Sequence, residues 1–121
     1  MPSPILFIVY VNDAPEAARF YADLLEIEPG FETPRYITFD LGDGAKLALW
    51  SGQAEGLTPA VRRTSEVCLA LTGGPDVIDR RFEQWVATGV RVVSEPHDEG
   101  FGRTFVVTDP DGNLIRVAPI D

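Results

Sequence analysis

Few residues of this chain could carry chemistry by type alone. There is one cysteine, Cys68, and one histidine, His97. A single cysteine excludes an internal disulfide framework and a cysteine-rich zinc site. Cys68 stands among Val67, Leu69 and Leu71, with only His97 as a conceivable base, and reads as a buried, inert thiol. His97 falls in a polar stretch that reads as a loop, where an imidazole is ordinarily just solvated. No Ser-His-Asp arrangement, Walker-type loop or dinucleotide-binding motif is present.

Charge narrows the partners. The 121 residues include 10 basic and 19 acidic side chains, a formal net charge of -9. A phosphate backbone is held by clustered Lys and Arg, so nucleic acid is excluded as a partner. The acidity would suit a cationic ligand, although solubility alone accounts for it. No apolar run is long enough to cross a bilayer, and the N-terminus lacks the basic flank of a signal peptide. The expectation is a cytoplasmic protein with no membrane contact.

The elements that must position any site begin with Ile5 to Val11, a continuous β-forming run that predicts a strand covered on both faces. Asp13, with Glu16 three positions later, makes a capping box for a helix over 14–25. Ala17, Phe20, Tyr21, Leu24 and Leu25 form its apolar stripe. Pro29-Gly30 breaks the chain, and a short strand is expected over 31–33. Residues 35–41 alternate, with Ile37, Phe39 and Leu41 on one face and Tyr36, Thr38 and Asp40 on the other. Gly42-Asp43-Gly44 turns that strand back into residues 45–51.

The order then repeats. Residues 52–64 are polar, broken by Gly56 and Pro59, and read as a linker. Residues 66–71 predict a strand, and Gly73-Gly74-Pro75 leads into a helix over 76–88. Val77, Ile78, Phe82, Trp85 and Val86 make its stripe, and Gly89 stops it. A strand over 90–94 and a polar loop over 95–102 follow. The last hairpin runs through Val106-Val107-Thr108-Asp109-Pro110-Asp111-Gly112-Asn113-Leu114-Ile115-Arg116-Val117, where Pro110 and Gly112 suit a tight turn. Asp43-Gly44 matches Asp111-Gly112, so the chain reads as a duplicated βαβββ module. The class is α+β, a single domain of two repeats, 1–51 and 65–121, with helices on one side of the sheet.

These paired modules, the segment from Val11 to Tyr21 and the ending from Asp109 to Val117 resemble the vicinal oxygen chelate superfamily. That superfamily includes glyoxalase I, extradiol dioxygenases, fosfomycin-resistance transferases and bleomycin-resistance proteins. The resemblance implies a curved mixed sheet around a cavity, the glyoxalase/bleomycin resistance fold. It also implies a divalent metal held by His, Gln or Glu from four strands. Those four positions fall on Leu6, Ala48, Glu66 and Arg116. Leucine and alanine carry no donor atom, and arginine is a permanent cation. The family's metal chemistry is therefore not expected. A shifted set of Glu66, His97 and Asp40 is the one alternative. Because the third and fourth positions converge in the family, Arg116 is expected where the cation would be, paired with Glu66.

Strand alternation extends the cavity lining to Ile8, Tyr10, Lys46, Trp50, Cys68, Ala70, Leu114 and Ala118, with Tyr36, Thr38, Thr104 and Val106. Trp50 offers a flat face for a planar or cationic ligand. Phe101, held between Gly100 and Gly102, reads as a lid at the cavity mouth. The expected ligand-binding residues are Leu6, Tyr36, Ala48, Trp50, Glu66, Phe101 and Arg116.

The chain is similar to the metal-free, drug-sequestering resistance proteins of that superfamily. That implies an antibiotic-like small molecule held in a cleft where two subunits meet, with no metal and no cofactor. Two readings stand beside it. One is a lyase or isomerase with Glu66 as base and Arg116 holding an enolate or carboxylate; the other is a metal-dependent glyoxalase- or dioxygenase-like enzyme.

Overall fold

The computed structural model describes residues 5–52 and 62–120, in two compact units, Met1–Val61 and Arg62–Asp121. The linker expected over 52–64 lies mostly outside the described residues. Each unit carries one helix and a four-stranded mixed sheet, so the α+β class and the repeated module are as expected.

In the first unit the elements are β1 (Ile5–Tyr10), α1 (Ala14–Leu25), β2 (Phe31–Glu32), β3 (Tyr36–Gly42) and β4 (Ala45–Trp50), in sheet order β1-β4-β3-β2. Asp13 caps α1 by accepting from the Glu16 backbone N–H at 2.9 Å. This satisfies one of the free donors of the first turn. Ala14, Ala17, Ala18, Tyr21 and Leu24 are buried, and α1 packs on β3 and β4. Phe20 and Leu25 are only half-buried, so the stripe sits slightly off the expected line. Gly42, Asp43 and Gly44 all take positive φ, which explains the glycines on both sides of Asp43. A register shift between Asp40 and Gly42 takes Leu41 out of the ladder and leaves it exposed.

The expectation that β1 is covered on both faces is corrected. Ile5, Leu6, Phe7, Ile8 and Tyr10 are 42% to 55% exposed. β1 is the edge strand, paired only with β4 in its sheet, and α1 covers the two middle strands instead. A continuous apolar run reports hydrophobicity on both faces and says nothing of what covers them.

In the second unit the elements are β5 (Glu66–Leu71), α2 (Pro75–Val86), β6 (Arg91–Glu99), β7 (Gly102–Thr108) and β8 (Leu114–Pro119), in order β5-β8-β7-β6. α2 ends two residues before the expected stop, with Gly89 at φ 86° beyond it. Ile78 and Trp85 are buried and Val86 is exposed. Phe105, fully buried at the centre of β7, meets Phe82 and Trp85 edge-on at 5.2 and 5.6 Å. The final turn is organised by Asp109, 3% exposed, whose carboxylate accepts from the Asp111 and Asn113 backbone N–H groups and from the Asn113 side chain.

The loop expected over 95–102 is also corrected. β6 continues to Glu99, and the turn is only Gly100 and Phe101. Register shifts between Val92 and His97 let the polar run and Pro96 fit an edge strand, where such residues are tolerated.

Candidate functional site

The second unit brings charged and polar side chains together on one face of its sheet. Cross-strand partners share a face. Cys68 lies opposite Arg116, Arg116 opposite Val106, and Thr104 opposite His97. Glu66 joins them two residues before Cys68 on β5.

The expected pair is formed. Arg116 Nε donates to Glu66 Oε1 at 2.7 Å, and Nη2 donates to Oε2 at 3.0 Å. This is the two-pronged geometry in which a guanidinium holds a carboxylate most firmly. Nη1 donates to Thr104 Oγ1 at 3.1 Å, and that buried hydroxyl donates onward to the Val117 carbonyl at 2.7 Å. The Phe101 ring lies over the guanidinium, its centroid 5.9 Å from Cζ. The hydrogen bonds to Glu66 hold Arg116 still more firmly protonated, against some desolvation. With the two side chains 25% and 31% exposed, water screens the pair, and its net stabilisation is about 0–1 kcal/mol. Its value is in fixing geometry.

His97 is on β6, not in a loop. Its Nδ1 lies 2.8 Å from the Glu95 carbonyl and its Nε2 2.9 Å from Glu99 Oε2. Both ring nitrogens therefore face acceptors, which favours the imidazolium. The Glu95 carbonyl first, then Glu99, raises its pKa from the ordinary 6.5. A raised folded value means that the stabilisation is fully present below about pH 6.5. It is lost as pH rises through the higher, folded value. Thermal melts should thus show wild type above His97→Gln at pH 5, with the gap narrowing as pH rises above 6.5. A constant gap would contradict this arrangement. Cys68 is exposed, with its thiol pushed up by desolvation; Arg116 opposes that shift and Glu66 adds to it. The buried thiol expected from sequence is corrected, while the protonated, weakly nucleophilic character holds.

In the first unit, aromatic side chains cross the sheet in a row. Tyr10, Trp50 and Tyr36 are register partners on β1, β4 and β3, and so share a face. Tyr10 and Trp50 rings sit 5.8 Å apart, tilted by 43°, and Phe31 meets Tyr36 at 6.4 Å. The Trp50 indole also lies against Gly52, where any Cβ would overlap the ring. Trp50 and Tyr36 are half-buried. Leu6 is exposed, while Ala48 has no exposed surface.

The donor set does not fit a metal. Leu6 and Ala48 have no ligating atom, and both Glu66 oxygens are engaged by Arg116. His97 is bonded to Glu95 and Glu99, and Asp40 caps its own turn through the Gly42 N–H. Among the described residues no group of three or more His, Cys, Asp or Glu could hold a metal ion. Thr104, Tyr10 and Gly52 were not singled out from sequence as partners of Arg116 and Trp50. Thr104 and Tyr10 were legible only as members of the right face, and Gly52 only as the first residue of the linker expected over 52–64.

No helix among the described residues is long and apolar enough to cross a membrane. The Glyoxalase/Bleomycin resistance protein/Dioxygenase superfamily model matches residues 5–117. The phenazine antibiotic resistance protein EhpR of Enterobacter agglomerans is 39% identical over 122 residues, covering 98% of this chain and 93% of that protein. A protein of Agrobacterium tumefaciens solved by NMR superposes with a TM-score of 0.78 at 32% identity, over 100% of this chain and 99% of the other. A glyoxalase-related enzyme from Fulvimarina pelagi shares the fold, with a TM-score of 0.77 at 22% identity, over 97% of this chain and 87% of its own. By its repeated module, its matched length and these relatives, the chain belongs to the glyoxalase/bleomycin resistance protein/dioxygenase superfamily.

Proposed function

We propose that this protein binds a planar, antibiotic-like small molecule without a metal and protects by sequestering it. The observation that carries the reading is the Glu66–Arg116 pair, which spends two of the family's four metal-ligand positions on each other. The relative named for phenazine resistance supports a polycyclic aromatic ligand of that kind. In the first unit Trp50 and Tyr36 offer aromatic faces to such a ligand and Leu6 an apolar contact; in the second unit Phe101 offers a ring and Arg116 hydrogen-bond donors. The ligand sits in a cleft where two subunits meet. Support for a homodimer comes from β1, whose apolar side chains are exposed and whose outer edge is unpaired within its sheet. A cytoplasmic location suits the lone free cysteine.

The enzymatic alternative asks Glu66 to act as a base. Both its oxygens already accept from Arg116, so that role would require the pair to open. Incubating the protein with phenazine and recovering the compound separates the two. Saturable binding with quantitative recovery of unchanged phenazine is the expected result; turnover to a product would establish an enzyme instead.

A further inference from the structure

On the second unit's sheet face, the donors that Arg116 has left unspent set the kind of ligand edge it can recognise. A guanidinium has five N–H donors. One on Nε and one on Nη2 go to Glu66, and one on Nη1 goes to Thr104. One N–H on Nη1 and one on Nη2 have no partner among the described residues. The side chain is a quarter exposed, so it is not sealed from solvent. Glu66, by contrast, has committed both oxygens to Arg116.

The net charge around these donors is small. Glu66 neutralises Arg116, Glu99 is bonded to His97, and the thiol of Cys68 is kept neutral by desolvation. A cation would meet unspent donors of like charge, and an anion would meet a guanidinium already paired and Glu99 nearby. A neutral acceptor meets neither difficulty. The Phe101 ring covers one face of the guanidinium, adding an apolar surface beside the free donors.

We infer that Arg116, held in place by Glu66 and Thr104, recognises a neutral planar aromatic ligand through an in-plane acceptor, an aza nitrogen or ring carbonyl. This rests on the binding function proposed above and adds to it the edge of the ligand that is read and the residue that reads it. It also replaces the cationic ligand that the overall acidity would suit. Glu66 and Thr104 are positioning residues.

The test compares three tricycles of one shape: phenazine with two ring nitrogens, anthracene with none, and 10-methylacridinium as a permanent cation. Dissociation constants are read from tryptophan fluorescence at low micromolar concentration in a small fixed fraction of dimethyl sulfoxide. Wild type should bind phenazine about tenfold more tightly than anthracene, the scale of one charge-assisted hydrogen bond. In Arg116→Met the ratio should fall to near one, while Arg91→Gln, an exposed cation at the opposite end of β6 from Glu99, should keep it. Circular dichroism checks folding, and Arg116→Lys, keeping the charge without the fork, should give an intermediate ratio if the methionine variant does not fold. Equal binding of phenazine and anthracene, a ratio indifferent to Arg116, or a preference for the cation would each overturn the inference while leaving a binding protein. Failure of all three tricycles to bind would overturn the binding function and the inference with it.

Discussion

Trp50→Ala is expected to weaken binding of a planar aromatic ligand about ten- to thirtyfold, the range for losing one central aromatic contact. The indole is half-buried, set against Tyr10 at 5.8 Å and lying on Gly52, so its flat face is held in one orientation before a ligand arrives. Such preorganisation reduces the side-chain entropy lost on binding. Gly52→Val separates orientation from presence. The new side chain would overlap the ring and force it to turn, so affinity should fall although the tryptophan remains. Titration of both variants with phenazine checks this, and unchanged affinity in Trp50→Ala would remove Trp50 from the site.

Phe105→Ala should have the largest effect on stability, about 3–5 kcal/mol. The ring is fully buried on β7 and packs edge-on against Phe82 and Trp85 of α2, so its loss leaves a hole between helix and sheet. Against a total of about 5–15 kcal/mol for a domain, that is a large fraction. The urea midpoint should drop accordingly. Phe101→Ala, at the exposed hairpin tip, should change the stability by no more than about 0.5 kcal/mol. Equal losses at the two phenylalanines would mean that the core is misplaced.

The parts of the fold that were legible in the sequence are those with a local physical cause. Asp13 and Glu16 mark the start of α1, Gly42-Asp43-Gly44 needs positive φ, and Pro110 and Gly112 shape the last turn. Their recurrence revealed the duplication. The run from Glu95 to Glu99 misled because an exposed edge strand need not alternate, and bulges in the ladder erase whatever period remains. β1 misled in the opposite sense, since its apolar residues on both faces looked like burial.

The candidate site divides in the same way. Glu66 and Arg116 lie 50 positions apart, and no local pattern links them. The family's strand positions did so, and the fork geometry bears that out. Thr104 as a brace for Arg116 depends on the β7–β8 pairing, and Glu99 as a partner for His97 depends on β6 continuing through both residues.

The central claim is that Arg116, held by Glu66, stands in place of the family's metal. Metal content measures it most directly. The purified protein is soaked in nickel, zinc, manganese and ferrous iron, dialysed and analysed for bound metal. The account predicts no stoichiometric metal and phenazine binding that is indifferent to a chelator. One tightly held metal per chain, with binding lost on chelation, would contradict it and make His97 and Asp40 the first residues to replace.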